Sequence, residues 1–278
     1  MRFGLVLNPA GVPSWPGLTD DARAAEEAGF DLVWVGESGE SGSAAAVCAG
    51  LAPATTALRL VAHLAVGTHP VGLAEEAAVA DLVSGGRLVV ALGGIGPDDA
   101  VEESAAVLGA ALAARPFRHA GPRWPVAADP AQPPLRVTPA PVQLDLPIWL
   151  YGLSRVPAAV RLGVPFVCGP DDSDDAAAAA WAPVGFGAGT GSARGSRPLL
   201  RRLDTDLDGS FDRAGLVAGL RRAQQRWDAD TCILQLAEGL AATARRRAIA
   251  DVGRRVRPRL QLAELPAGLE DHWEGTDQ

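Results

Sequence analysis

The sequence predicts an α/β fold, a (β/α)8 TIM barrel, on three observations. Short apolar runs alternate with longer helical stretches, which favours parallel strands connected by helices. The length of 278 residues suits one barrel, which typically needs about 250 residues. The first apolar run is followed by NPAGVPSWPG and not by a GxGxxG fingerprint, which weakens the alternative of an open doubly wound sheet. We therefore expect one barrel domain over residues 1–262 and a C-terminal tail over 263–278.

Apolar runs of strand length, bounded by turn residues, predict eight strands. They lie at 2–7, 31–36, 58–66, 87–92, 147–152, 164–168, 198–205 and 230–236. The stretches between them predict helices at 18–29, 41–52, 70–83, 99–114, 154–162, 211–226 and 240–256. In the first helix, Thr19 is a plausible N-cap and Gly29 a stop. The proline-rich stretch 115–146 is expected to be a long surface excursion, and 171–196 a helix followed by a loop.

Composition and charge argue against several classes of partner. The formal net charge is -8 and no long basic run is present, which argues against a nucleic-acid partner. The N-terminus, MRFGLVLNPAG, is too short for a secretory signal or a membrane-spanning helix, so we expect no membrane partner and a cytoplasmic location. Cys48, Cys168 and Cys232 are widely spaced, which signals neither a disulfide frame nor a metal site.

Three segments together resemble the bacterial luciferase-like monooxygenase family. They are AEEAGFDLVWVGE at 25–37, HPVGLAEEAAVADLVSGGRLVVALGG at 69–94 and TPAPVQLDLPIWLYGLS at 138–154, in the family's order. The resemblance covers about the first 155 residues, and the later part fits only as generic barrel repeats. It implies a luciferase-like barrel that binds FMN or, as the alternative, the deazaflavin coenzyme F420 at the carboxyl ends of the strands. Relative to the family the loop after strand 4 looks shortened, because helical pattern resumes at Asp99.

The resemblance also indicates candidate catalytic residues. Glu37 ends strand 2 and matches the family's acidic position. The family commonly has a histidine next to it, where this chain has Ser38, and a serine cannot act as a general base near neutral pH without a partner. His63, within strand 3, is the remaining candidate, although a strand histidine is more often structural. His69 matches a position that starts the next helix, so it is expected to be structural.

Candidate cofactor-binding residues lie at the ends of strands 3, 4 and 5. Small residues that would let a ring approach the backbone end strand 3, at Ala65 and Gly67, and strand 4, at Gly93 and Gly94. The turn Tyr151, Gly152 and Ser154 ends strand 5, and in the family this turn helps to hold the flavin phosphate. Ser154 would be both an N-cap and a phosphate ligand, because helix N-termini favour anions.

Other polar residues at strand ends have weaker assignments. Asn8 could hydrogen-bond a ligand or simply form the turn before Pro9. Gln235 and Glu238, at the end of strand 8, could face the same pocket. The aspartates within 171–175 would repel a phosphate and are expected to be solvated.

These observations predict a flavin-dependent oxidoreductase or monooxygenase that acts on a small organic substrate. A separate reductase could supply reduced flavin, because no nicotinamide fingerprint is visible. The alternatives are a non-catalytic flavin-binding or ligand-binding relative, favoured by Ser38 and the short loop, and a partner subunit of an active homologue. A homodimer is also possible, because the Ala-rich stretches 41–54 and 74–80 could pack against a partner or, equally, against the barrel.

Overall fold

The computed structural model describes residues 1–8, 14–36, 43–93, 98–182 and 197–262, and it confirms the predicted barrel. The strands are β1 (Arg2–Leu7), β2 (Leu32–Val35), β3 (Arg59–Ala65), β4 (Leu88–Gly93), β5 (Ile148–Tyr151), β6 (Phe166–Val167), β7 (Pro198–Leu203) and β8 (Thr231–Leu236). The helices are α1 (Trp15–Glu27), α2 (Ala44–Leu51), α3 (Pro70–Ser84), α4 (Asp98–Leu112), α5 (Val156–Leu162), α6 (Asp174–Trp181), α7 (Arg213–Trp227), α8 (Ala242–Asp251) and α9 (Arg257–Leu262). A π-helical segment, Val252–Val256, joins the last two helices.

The eight strands are all parallel and follow one another around the sheet. Their order is β6-β5-β4-β3-β2-β1-β8-β7, so β6 and β7 form the seam at which the barrel closes. The seam is thin, because β6 has only two residues, and a single parallel bridge pairs Cys168 with Leu199. The amide of Leu200 donates to the carbonyl of Cys168 at 2.9 Å. The barrel therefore closes through few backbone hydrogen bonds at this position.

Alternation along the strands separates two apolar cores. One fills the lumen and consists of Leu32, Trp34, Val61, Val89, Ala91, Trp149, Val167, Leu200 and Ile233. The larger core lies between the strands and the surrounding helices. Successive side chains of a strand point to opposite faces, so every second residue faces the lumen. The last of these residues on each strand lie at the mouth of the barrel, at the carboxyl ends of the strands. A barrel lumen packed in this way leaves only the mouth for a ligand.

The first helix begins earlier than the sequence predicts. Ser14, and not Thr19, is its N-cap, and the Ser14 hydroxyl accepts a hydrogen bond from the amide of Gly17 at 3.3 Å. The Thr19 hydroxyl lies inside the helix and donates to the carbonyl of Pro16 at 2.8 Å. The prediction was wrong because a proline in the first turn, where its missing N–H is not needed, does not stop a helix.

The proline-rich excursion packs against the helices. Glu103 of α4 accepts hydrogen bonds from the amides of Arg123 at 3.1 Å and Trp124 at 2.7 Å. Asp81 of α3 accepts from the amide of Gln143 at 2.9 Å. This anchoring confirms that residues 115–146 form a surface excursion. The tail predicted for 263–278 lies outside the residues that the structure describes.

Two charged residues from the segments that resemble the family, Glu26 and Arg87, stabilise the amino-terminal end of the barrel. The carboxylate of Glu26 accepts from the amides of Thr56 at 2.9 Å, Ala57 at 2.6 Å and Leu58 at 3.1 Å. The guanidinium of Arg87, which follows the glycine turn after α3, donates to the same loop between α2 and β3. Both charged side chains therefore serve the base of the barrel. Within the described ranges no helix is long and apolar enough to cross a membrane.

Candidate active site at the mouth of the barrel

Three aromatic side chains, those of Trp34, His63 and Tyr151, meet near the carboxyl ends of β2, β3 and β5. The ring centroids of His63 and Tyr151 are 4.9 Å apart, and Trp34 lies 5.2 Å from His63 and 5.7 Å from Tyr151. All three rings are tilted relative to one another, at interplanar angles of 42°, 52° and 58°. They cover the end of the lumenal core that is nearest to the mouth of the barrel, and we call these three side chains the aromatic floor.

Gly93 on β4 makes the aromatic floor possible. It lies on the strand between His63 and Tyr151, and a methyl group built on it would come within 2.8 Å of His63 Nε2 and 2.9 Å of Tyr151 Cβ. Because both distances are shorter than van der Waals contact, only glycine lets the two rings approach. The residue was predicted to admit a cofactor, whereas here the space beside its α-carbon is filled by protein side chains.

His63 has an unsatisfied nitrogen. Its Nε2 is buried and has no hydrogen-bond partner among the residues that the structure describes. Burial lowers the pKa of the imidazole to about 4, so the ring is neutral at physiological pH. An unsatisfied buried polar atom costs about 1–3 kcal/mol, and such atoms are uncommon in folded proteins. A titratable group that is perturbed and unpartnered in this way is a candidate for ligand contact.

Tyr151 directs its hydroxyl towards the seam between β6 and β7. A methyl group built on Gly169 would lie 3.6 Å from the Tyr151 hydroxyl oxygen. Burial of the phenol, followed by the negative charges of Asp172 and Asp171, raises the pKa of Tyr151 above its ordinary value. The hydroxyl therefore stays protonated at neutral pH and can donate a hydrogen bond.

Open backbone surrounds the aromatic floor at the ends of β2, β3 and β5. A methyl group built on Gly36, Gly67 or Gly152 would meet no atom of the described residues within 4 Å. Gly152 has φ +104°, a conformation that other residues rarely adopt. Ala65 is half-buried and pairs in register with Gly93. A planar ligand could therefore approach the main chain closely at these positions.

Ser154 is not the N-cap that the sequence predicts. It is exposed and lies within a 3-10 turn, Leu153–Arg155, and α5 begins only at Val156. The N-cap position belongs to Arg155, whose side chain makes no capping bond. The tight turn after Gly152 delays the start of the helix to Val156, so Ser154 does not occupy its N-cap position. Contact between Ser154 and a ligand stays a prediction.

The predicted polar residues at the ends of β1 and β8 are brought together. Asn8, Gln235 and Glu238 line a cavity of about 50 Å³ beside the mouth. Behind them the Arg245 guanidinium pairs with the buried carboxylate of Asp21 at 2.7 Å. The cavity has room for a few water molecules and is too small for a flavin ring. The predicted residues Glu37 and Gly94, and Ser38 beside the former, lie outside the described part of the chain.

Two other sequence expectations have clear outcomes. His69 is structural, as predicted, because its Nδ1 accepts from the amide of Val71 at 3.3 Å and caps α3. Of the aspartates of 171–175, which were expected to be solvated, Asp171 and Asp175 are exposed, at 75% and 78%, whereas the side chain of Asp174 is only 27% exposed. Asp171, Asp174 and Asp175 pair with arginines of β7 and α7, and Asp172 accepts a hydrogen bond from a backbone amide. Arginines that the sequence places far along the chain reach these carboxylates across the seam.

Trp34 is a site residue that the sequence reasoning missed. It is 2 % exposed and belongs to both the lumenal core and the aromatic floor. The signal was present, since Leu32 and Trp34 share one parity in β2 and therefore one face of the strand. A search limited to titratable and small residues overlooks a tryptophan of this kind. Among the residues described, no group of His, Cys, Asp or Glu could hold a metal ion.

The fold and the site define a class of protein. A parallel (β/α)8 barrel with a packed lumen presents its ligand site at the carboxyl ends of the strands, and the aromatic floor lies there. The sequence identifies the family within this class. The model of the luciferase-like monooxygenase family matches residues 1–184, and the chain belongs to that family. No curated protein matches the sequence.

Solved structures share the fold at low sequence identity. The monooxygenase RslO1 from Streptomyces bottropensis has a TM-score of 0.74 and 17% identity, covering 93% of this chain and 99% of that one. The coenzyme F420 dependent tetrahydromethanopterin reductase from Methanopyrus kandleri has a TM-score of 0.74 and 15% identity, with coverages of 93% and 99%. The oxygenating constituent of 3,6-diketocamphane monooxygenase from Pseudomonas putida, solved with FMN, has a TM-score of 0.68 and 15% identity, with coverages of 94% and 99%.

Proposed function

We propose that this protein is a flavin-dependent oxidoreductase or monooxygenase that acts on a small organic substrate at the mouth of the barrel. The observation that carries the proposal is the buried, unpartnered Nε2 of His63 within the aromatic floor. Family membership and neighbours whose names refer to FMN or F420 support a flavin-type cofactor. FMN is the first candidate and the deazaflavin coenzyme F420 is the second.

The residues of the mouth fit a flavin ring. Such a ring is planar and largely apolar, with nitrogen and oxygen atoms along one edge. The aromatic floor offers it an apolar surface, and the unpartnered His63 Nε2 offers that edge a hydrogen bond. Gly67 and Gly152 leave room for the ring beside the main chain, and the small side chain of Ala65 is proposed to lie next to it. A bound flavin would supply the redox chemistry, and the protein would bind and orient it.

The proposed roles follow from the state of each side chain. His63 is neutral at physiological pH, so it would act as a hydrogen-bonding group and not as a cation. Tyr151 would donate a hydrogen bond from its protonated hydroxyl. Gly93 would contribute by leaving free the space in which the rings of His63 and Tyr151 meet. We further propose that Glu37 acts as a catalytic acid or base. Gly94 and Ser154 are proposed, together with Glu37, to contact the ligand.

The decisive experiment is a cofactor titration of the purified chain. FMN and F420, each oxidised and reduced, are followed by fluorescence and calorimetry. We expect one of them to bind with a Kd of about 1 μM or lower, and His63→Asn to weaken binding about tenfold, the loss of one hydrogen bond in a buried site. His119→Asn is the matched control, because His119 lies in the surface excursion and pairs with Glu103 at 3.3 Å.

The possible outcomes separate the candidate functions. Failure of both cofactors to bind at high concentration would contradict the proposal. Stoichiometric flavin binding without turnover of any substrate, with a reductase supplying reduced flavin, would favour the non-catalytic relative instead. Equal effects of His63→Asn and His119→Asn would remove His63 from the site.

A further inference from the structure

The rim around the mouth is strongly acidic. The loops that follow β6, β7 and β8 contain seven carboxylates, Asp171, Asp172, Asp204, Asp206, Asp208, Asp212 and Glu238. The loops that follow β3 and β5 contain one guanidinium, that of Arg155, which is only 7 % exposed. The sequence of the segments 9–13, 37–42 and 94–97 contributes no arginine or lysine. We call the seven carboxylates the acidic rim.

Three of the arginines near the acidic rim are already paired. Arg202, at the end of β7, donates to Asp171 at 2.7 Å, and Arg247 of α8 donates to Asp208 at 2.7 Å. Arg201 lies on the outer side of β7, where it pairs with Asp174 at 2.7 Å. Each pairing offsets the positive charge that a phosphate would need, and it equally offsets the charge of its carboxylate. The negative charge of the acidic rim therefore comes from its five other carboxylates, Asp172, Asp204, Asp206, Asp212 and Glu238.

The negative field reaches the aromatic floor. After burial, the charges of Asp172 and Asp171 raise the pKa of the Tyr151 hydroxyl, and the smaller opposing effect of the Arg202 cation does not cancel them. A methyl group built on Gly169 would lie 3.3 Å from a carboxylate oxygen of Asp172 and 3.6 Å from the Tyr151 hydroxyl, so this carboxylate lies beside the aromatic floor and would repel an anion placed over it. The terminal phosphate of FMN carries about -1.5 to -2 charges at neutral pH, and repulsion is felt within a Debye length of about 8–10 Å.

The unpartnered imidazole of the aromatic floor favours an uncharged polar ligand. His63 Nε2 is buried, lacks a partner among the described residues and belongs to a ring that is neutral. The edge of a flavin ring could satisfy this nitrogen without bringing in charge. Two independent features, the acidic rim and the unpartnered imidazole, thus fit the flavin ring and oppose the flavin phosphate.

We propose that this site takes the uncharged flavin ring system with no contribution from a terminal phosphate, so that riboflavin binds at least as tightly as FMN. This inference rests on the proposed flavin-dependent function and narrows its cofactor to a phosphate-free flavin class. The ring and the aromatic floor provide the affinity, and the acidic rim discriminates against anions.

The test is a pair of calorimetric titrations of the full chain, one with riboflavin and one with FMN, each at about 0.02 M and about 0.5 M salt. We expect the Kd for riboflavin to equal or fall below that for FMN at low salt. Salt should tighten FMN binding several-fold, by screening repulsion, and leave riboflavin binding unchanged. FMN binding that is at least tenfold tighter than riboflavin binding, and that weakens with salt, would overturn the inference while leaving the proposed function intact. Failure of both flavins to bind would refute the inference, and failure of F420 to bind as well would refute the proposed function.

Neutral variants of the acidic rim sharpen the result. Asp204→Asn combined with Glu238→Gln removes two exposed charges near the mouth, and we expect FMN to bind about two- to fivefold more tightly with riboflavin unaffected. Asp228→Asn is the matched control, because it removes a carboxylate after the C-terminus of α7, at the opposite end of the barrel. A variant that shifts both ligands equally, or neither, would argue against discrimination by the rim.

Discussion

The two ends of this barrel use their polar groups in opposite ways. At the amino-terminal end, Glu26 and Arg87 make several hydrogen bonds each to the loop between α2 and β3, so the polar groups of that loop that they contact are satisfied. At the carboxyl-terminal end, His63 has a buried nitrogen without a partner in the described chain, beneath a rim of like charges. The contrast teaches that the loop between α2 and β3 is held by completed hydrogen bonds, while the mouth holds an imidazole nitrogen that a ligand could complete.

The largest expected effect comes from Arg87 at the base. Its guanidinium donates to the carbonyls of Ala52 at 2.8 Å and Leu58 at 3.1 Å, and to the Thr55 hydroxyl at 2.9 Å. Arg87→Met leaves these acceptors unpaired, and we expect the free energy of unfolding to fall by about 3–4 kcal/mol, measured by urea denaturation. Arg222→Met, at an exposed position of α7, is the control and should change it by less than about 0.5 kcal/mol. A small effect at Arg87 would show that the base is not held by this network.

The next effect tests the mouth through pH. His63 titrates at about 6.5 when unfolded and at about 4 when buried, so between these values the unfolded chain binds more protons than the folded one. The free energy of unfolding should therefore fall as pH drops from about 6.5 to about 4, by up to about 3 kcal/mol for this group. His63→Asn should remove that part of the pH dependence, and His119→Asn should retain it. Parallel profiles for the wild type and His63→Asn would mean that the imidazole is not buried as described.

Local sequence patterns were sufficient to predict most of the barrel. The apolar runs of β1 and β3, and the proline and glycine that bound α3, are short-range signals that the structure confirms. The start of α1 was predicted late, because a serine before a tryptophan and a proline is a less obvious beginning than Thr19. Such errors concern helix ends, where the choice of cap depends on a few competing hydrogen bonds.

The candidate site was less predictable, because its contacts join distant strands. The sequence singled out His63 and Tyr151 separately, but not that Gly93 brings them together. Trp34 was missed since its role depends on which face of β2 points into the lumen. The pairing of Arg202 with Asp171 spans the seam between β6 and β7 and has no local signal. Non-local geometry of this kind arises only when the barrel closes.

The smallest effect compares two neighbouring ion pairs across that seam. Arg201 and Arg202 each lie 2.7 Å from an aspartate, but the Arg201 pair has side-chain exposures of 21% and 27%, against 59% and 75% for the Arg202 pair. Arg201 also donates to the carbonyl of Asp172 at 3.2 Å. Water screens the more exposed pair, that of Arg202 with Asp171. Arg201→Met should therefore lower the free energy of unfolding by about 1–2 kcal/mol, and Arg202→Met by less than about 0.5 kcal/mol. Equal losses in urea denaturation would indicate that burial does not distinguish the two pairs, and that the seam depends on total charge across it.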